Sequence, residues 1–248
     1  MAEINPLITV VIPTYNRASL VLKAIGSVLN QTYTNLELVI ADDGSTDRTK
    51  QTILSLEDPR IKYIELPHTG KIGKVRNAGV AAGKGEWVAF LDSDDEWKSR
   101  KLELQIEKIK QTGKRWCYGK FELMDEAGNT VPAKTGIYRP VSGWVAEKLL
   151  TNEVAVVICT LLVERKLFDE TGGFNTDDRL AYRDDYEFAI RLSLKEEAAA
   201  LPEVLVRVLE HAGRGTNSIE HAHERSIAPY TVFLEQNHPC LMDKPPLR

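Results

Sequence analysis

Asp92-Ser93-Asp94-Asp95 closes the apolar run Trp87-Val88-Ala89-Phe90-Leu91. Three carboxylates within four residues, at the point where a buried strand emerges, repel one another strongly. They are tolerated there when a cation, or a ligand carrying one, neutralises them. A divalent metal bound to phosphate oxygens meets that need and points to chemistry on a nucleotide-type substrate. The alternative is an acidic turn that only ends the strand. Two further acidic pairs stand at similar places: Asp42-Asp43 after the apolar run Leu36 to Ala41, and Asp184-Asp185 at the head of a helical pattern that runs to Leu194.

The elements that must position these groups alternate along the first half. Ile8-Thr9-Val10-Val11-Ile12 reads as a buried strand stopped by Pro13, and Ser19 to Asn30 as a helix with Leu20, Ala24, Ile25, Val28 and Leu29 on one face. Leu36 to Ala41, Ile61 to Leu66 and Trp87 to Leu91 read as strands, Gly73 to Ala82 and Ser99 to Gln111 as helices. Ser45 or Thr46 is placed to cap the helix between the second and third strands, with Asp47 in its first turn. This order predicts βαβ units in a mostly parallel, doubly wound α/β sheet flanked by helices. Ligands bind such sheets beyond the carboxyl ends of the strands. Thr14-Tyr15-Asn16, Asp42-Asp43-Gly44-Ser45, the loop from His68 to Arg76 and the tetrad are therefore expected to converge on one crevice. The second half is less regular. Val154 to Val163 reads as a buried strand pair, Glu203 to Leu209 as a strand and Ile219 to Gln236 as a terminal helix. No linker divides the chain, so a single domain, residues 1–248, with a variable second half is the simpler organisation.

Composition narrows the function. A chain of 248 residues, 43% hydrophobic and 27% charged, is long enough to bury a substantial core. A net charge of −4 argues against nucleic acid as a partner, since such domains are normally basic. Cys117, Cys159 and Cys240 lack metal-ligand or paired spacing and suggest a reducing, cytoplasmic setting. No secretory signal is visible, and the longest apolar stretch is too short for a transmembrane segment. No GxGxxG follows the first strand, and Gly70-Lys71 is followed by Ile72, which excludes a P-loop.

Four motifs in order carry a resemblance: Pro13-Thr14-Tyr15-Asn16-Arg17, Val39 to Asp47, Arg76-Asn77-Ala78-Gly79 and Phe90 to Asp95. Together they resemble the inverting family 2 glycosyltransferases with the GT-A fold, a Rossmann-like sheet followed by a variable C-terminal acceptor-binding part. The resemblance is close over about residues 6–112, which would form the nucleotide-sugar-binding half, and looser over 113–248, which would hold the acceptor and the C-terminal helix.

The resemblance implies a division of labour. Pro13, Thr14, Tyr15 and Asn16 would line the nucleotide pocket, with Tyr15 stacking on the base. Asp43 would accept a base N–H, assisted or oriented by Asp42, which favours uracil or another base offering such a donor. Arg76, with Lys71 and Lys74 as weaker candidates, would face the diphosphate. Asp92 would bond the ribose or the metal's water, with Ser93 beside it, and Asp94 would coordinate Mn²⁺ or Mg²⁺. In Tyr182 to Leu192 the family's catalytic carboxylate falls on Asp185, with Asp184 as the alternative. Helix capping would explain either one without catalysis. His211 follows the last strand and would approach the metal or pyrophosphate, unless it is an ordinary surface residue.

The implied activity is metal-dependent transfer of a sugar from a nucleoside diphosphate sugar, UDP-linked by the base argument, to a hydroxyl of a glycan or lipid-linked acceptor. It would serve cell-surface polysaccharide synthesis, in the cytoplasm or peripherally on the inner face of the cell membrane. Two rival readings fit the sequence less well. In a phosphohydrolase of the haloacid dehalogenase type, the Asp-x-Asp follows the first strand, whereas this tetrad follows the fourth. Against a non-catalytic nucleotide-sugar-binding protein, or a partner subunit that has lost turnover, stand the intact acidic tetrad and candidate base, which show no sign of decay.

Overall fold

The computed structural model describes residues 5–132, 139–180, 183–210 and 222–237. In chain order the first half consists of β1 (Ile8–Thr14), α1 (Val21–Leu29), β2 (Leu36–Asp42), α2 (Thr49–Leu54), β3 (Ile61–Glu65), α3 (Ile72–Ala82), β4 (Trp87–Phe90), β5 (Glu96–Trp97) and α4 (Lys101–Thr112). The second half adds β6 (Trp116–Met124), β7 (Thr130–Val131), α5 (Ala146–Leu150), β8 (Leu162–Glu164), α6 (Arg165–Thr171), α7 (Asp184–Lys195), β9 (Ala199–Leu209) and α8 (Ala222–Asn237). The strands form one sheet in the order β3-β2-β1-β4-β8-β6-β9-β5, with β7 paired to β6.

β3, β2, β1 and β4 are parallel, as the alternating pattern predicts. The residues of β1 and almost all of those of β2 are buried, whereas the edge strand β3 is partly exposed, and α1 buries Val21, Ala24, Ile25 and Val28. Beyond β4 the sheet becomes mixed: β8 runs antiparallel to β4 and β6, and β9 runs parallel to β6. The ladder is therefore continuous across both halves of the chain.

Three local expectations are corrected. Pro13 does not stop β1, which continues to Thr14 against β2 (Pro13↔Ala41, Thr14↔Asp42). The β1–β4 ladder ends at Val11↔Phe90, so the ring stands where a partner strand no longer needs an N–H. α2 begins at Thr49, after both candidate caps, because Ser45 and Thr46 bond Asn16 instead and Asp47 accepts the Thr49 N–H at 2.8 Å. Val154 to Val163 is not a strand pair but a 3-10 turn, Ile158–Thr160, followed by β8. Its continuous apolarity reflects burial, which periodicity alone does not convert into strand. The terminal helix is described from Ala222.

Candidate active site

The loops at the carboxyl ends of β1–β4 converge, and Arg76 is their centre. It lies on α3, which Gly79 lets pack tightly on β1: a Cβ there would come 2.4 Å from Val11 Cγ1. Arg76 is 3% exposed. Its Nη2–H donates to Asp92 Oδ1 at 2.7 Å and its Nη1–H to Asp184 Oδ2 at 3.0 Å. Nε is buried without a hydrogen-bond partner, as is Thr14 Oγ1. Buried polar atoms are normally paired, so these two mark a place where a polar ligand is wanted. Facing carboxylates raise the guanidinium pKa against the opposing effect of burial.

The tetrad divides into two environments. Asp92 and Asp94 keep contact with solvent, at 32% and 18% side-chain exposure, and Asp94 lies 3.9 Å from Arg17 Nη2. Ser93 is buried between them. Asp95 points inward: its Oδ1 accepts the Leu209 N–H at 3.0 Å and its Oδ2 the Cys159 thiol at 3.2 Å. The same sulfur accepts the Asp92 N–H at 3.3 Å. Burial, with the charges of Asp92 and Asp94, pushes the Asp95 carboxyl well up, and burial does the same to the Cys159 thiol. Ligand atoms of Asp92, Asp95 and Cys159 lie within 4.8 Å of one another. A buried thiol is nevertheless the wrong donor for Mn²⁺ or Mg²⁺, which prefer carboxylate oxygen and water. The hard, solvent-reached donors are Asp92 and Asp94, and these fit such an ion.

Asp184 and Asp185 head α7. Gly73 on α3 makes room for Asp184, since a Cβ there would stand 3.0 Å from Asp184 Oδ2. Burial pushes the Asp184 carboxyl up to about 6 against the pull of Arg76. Asp185, partly exposed, is raised first by burial and further by Asp92, while Arg76 opposes. Behind them the buried Glu187 pairs with the partly exposed Arg191, and Arg191 also donates to the carbonyls of Thr171 and Gly173, bracing the loop beneath α7. Asn77 holds that loop from the other side, through Nδ2–H to Phe174 O and the Phe174 N–H to its Oδ1.

At the β1 and β2 ends several sequence-predicted residues shape the pocket. Asn16, at φ 50°, accepts the N–H groups of Thr46 and Asp47 on Oδ1 and ties the two loops together. Asp42 is fully buried; its Oδ1 accepts the Ser45 N–H and its Oδ2 the Tyr63 hydroxyl, both at 2.8 Å. Asp43 gathers the β3–α3 loop: Oδ1 accepts the N–H and Oγ1–H of Thr69, and Oδ2 accepts the Gly70 N–H. Tyr15 is 41% exposed, and its ring lies against His68. Lys71 pairs with Asp178 at 2.5 Å across a cleft that Asp184 also lines.

Two groups of sequence-predicted residues thus stand at the carboxyl ends of the parallel strands: Tyr15 and Asp43 about His68, and Asp92 and Asp184 about Arg76. His211 and Tyr182 lie outside the described residues. Sequence reasoning gave no role to His68, Thr69, Cys159 or Leu209. The polar His68 to Arg76 loop signalled the first two; nothing in a buried Cys or Leu signalled the others.

Residues 9–171 match the family described as Glycosyl transferase family 2, and the chain belongs to that family. An Escherichia coli protein named UDP-Glc:alpha-D-GlcNAc-diphosphoundecaprenol beta-1,3-glucosyltransferase is 32% identical over 163 residues, covering 66% of this chain and 62% of its own length. An uncharacterized glycosyltransferase of Rickettsia typhi is 30% identical over 239 residues, 94% of this chain and 73% of that protein. A further rickettsial relative, from Rickettsia felis, is 29% identical over 236 residues, and there the chain spans only 38% of the relative's length. The fold is shared with Staphylococcus aureus TarS, crystallised with UDP-GlcNAc, at TM-score 0.72 and 20% identity over 96% of this chain and 76% of TarS. Among the described residues no helix is long and apolar enough to cross a membrane.

Proposed function

We propose that this protein is an inverting, metal-dependent glycosyltransferase that moves a sugar from a UDP-linked donor to a hydroxyl of a glycan or lipid-linked acceptor in cell-surface polysaccharide synthesis. The observation that carries this reading is the buried Arg76, bonded to Asp92 and Asp184 with its Nε unpartnered. A guanidinium with an open donor, reached from the ends of four parallel strands, suits a diphosphate or base oxygen. The UDP-glucose in the E. coli relative's name and the UDP-GlcNAc bound to TarS support a uridine donor.

In this reading Tyr15 and Asp43 receive the base, and Arg76 and Lys71 hold the donor's anionic part. Asp185 accepts the proton of the acceptor hydroxyl as its oxygen bonds the anomeric carbon. The bond from that carbon to the diphosphate oxygen breaks, and the nucleoside diphosphate leaves with the electron pair. Asp184, fixed by Arg76, orients the head of α7. Asp92 and Asp94 would hold Mn²⁺ or Mg²⁺, whose chemistry when bound is Lewis-acid stabilisation of the departing diphosphate.

The test is release of UDP from UDP-glucose and UDP-GlcNAc with Mn²⁺, with and without lipid-diphosphate-linked acceptors. Turnover that Asp185→Ala removes, with donor binding retained, is expected. Full turnover in that variant would remove Asp185 from the mechanism. An inability of the protein to bind any nucleoside diphosphate would overturn the reading itself.

A further inference from the structure

Two observations at the ends of β2 and β3 meet on one side chain. The His68 ring stacks on Tyr15 with centroids 4.2 Å apart and an interplanar angle of 21°. Its Nδ1 lies 3.0 Å from Asp43 Oδ2 and 2.9 Å from the Asp43 main-chain oxygen. Both of those atoms are acceptors, so Nδ1 carries a hydrogen. His68 therefore makes two contacts at once: a face-to-face stack on Tyr15 and a ring N–H donated to the Asp43 main-chain oxygen, with the Asp43 carboxylate alongside at 3.0 Å. A planar base with a ring N–H would need the same place in the donor site, on the face of Tyr15 and against the acceptor atoms of Asp43.

The geometry points to His68 as a resident plug of the nucleobase slot, which the donor's base displaces and which thereby sets donor affinity. The inference rests on the donor-site reading above. His68 can leave without collapsing the slot, because Thr69 and Gly70 hold Asp43 through three other bonds. Its side chain is 50% exposed, so it already borders the solvent into which it would swing. Departure frees the Asp43 main-chain oxygen and uncovers Asp43 Oδ2, which the ring had flanked at 3.0 Å, next to the face of Tyr15. The base that fills the slot must offer a ring N–H at its edge, as uracil and guanine do and as cytosine does not. A slot that is plugged most of the time weakens apparent affinity by the fraction that is open: nine-tenths occupancy raises the apparent Kd about tenfold.

The experiment is calorimetric titration of the full chain and of His68→Ala with UDP, GDP and CDP, each in the presence of Mn²⁺. His68→Ala is expected to bind UDP several-fold to about tenfold tighter than the parent, and to prefer UDP to CDP. Unchanged or weaker UDP binding in His68→Ala, while the parent binds UDP, overturns the plug and leaves the donor site standing. Equal affinity of that variant for UDP and CDP overturns the ring N–H criterion. If neither protein binds any of the three, the donor-site reading fails and takes the plug with it. A thermal melt of His68→Ala superposing on the parent confirms that the comparison is between folded proteins.

Discussion

Arg76 and Asp184, separated by 108 positions, meet at 3.0 Å in the interior and fasten the head of α7 to the carboxyl end of the parallel sheet. The other arm of the same guanidinium reaches Asp92 at 2.7 Å. One side chain therefore sets the spacing between the candidate metal carboxylates and the candidate base. Lysine would bring one charge on a flexible stem and would not span both partners.

Arg76→Met is accordingly expected to do two things. Two buried or partly buried carboxylates lose their counter-charge, a loss of about 3–5 kcal/mol for a fully buried pair. UDP affinity falls together with stability. Urea denaturation and calorimetry read the two effects. Arg76→Lys should recover part of the stability and little of the affinity; an Arg76→Lys protein with parental UDP affinity would show that the guanidinium geometry is irrelevant.

Much of this was legible in the chain. The parallel strands β1–β4 and their polar ends follow from apolar runs alternating with helical spacing, because a doubly wound sheet leaves little other choice. The three acidic clusters were identified as sites, and two of them, Asp92 and Asp184, meet on Arg76. What sequence could not supply were contacts created by the return of the distant half. Cys159 comes from the turn before β8 to bond both Asp92 and Asp95, and Leu209 from the end of β9 donates to Asp95. Neither residue type announces such a bond. The Val154 to Val163 segment misled because a buried turn and a buried strand are equally apolar. Asp42, Asp43 and Asn16 read as ligand contacts, and the structure gives each hydrogen bonds that build the loops as well.

Asp94 and Asp95 should separate cleanly in experiment. Asp94→Ala is expected to abolish Mn²⁺-stimulated transfer with little change in thermal midpoint, since the side chain borders solvent. Asp95→Ala removes the partner of Leu209 N–H and of the Cys159 thiol, leaving buried polar groups unsatisfied at about 1–3 kcal/mol. A melting curve and a Mn²⁺ titration of activity decide the matter. Equal loss of stability in the two variants would contradict the division of the tetrad into solvent-facing and inward-facing carboxylates.

The pH dependence of transfer follows from the head of α7. Burial raises the carboxyls of both Asp184, to about 6, and Asp185. A general base works only when ionised, so the rate should fall with decreasing pH through a value above that of an ordinary aspartate, about 3.9. Asp185→Asn should lower the rate about 10²–10⁴-fold, the usual contribution of a positioned base, and abolish the acidic limb. kcat measured from pH 4 to 8, with UDP affinity followed in parallel, separates loss of the base from loss of the donor. An acidic limb that persists unchanged in the residual activity of Asp185→Asn would assign it to another group.

Stability should carry a second pH signature, from a residue outside the crevice. Lys101 is fully buried; its Nζ donates to Gln105 Oε1 at 2.6 Å and stands 3.9 Å from the Trp97 ring centroid. Burial pulls its pKa down from 10.5 to about 7, with Cys117 and Cys159 acting weakly in the other direction. Between those two values the unfolded chain binds a proton that the native protein does not, so stability rises with pH across the window, by up to about 1.4 kcal/mol per pH unit. Below about 7 the native lysine is charged as well, and its contribution is least favourable there. Lys101→Met keeps an unbranched chain against Trp97 and removes the titration. The stability of Lys101→Met relative to the parent is therefore expected to be highest near pH 6 and to decline steadily towards pH 10. Urea unfolding at four pH values measures that difference. A difference independent of pH would mean that Lys101 stays charged in the folded protein, with the Trp97 face and Gln105 sufficient to hold an ammonium in the core.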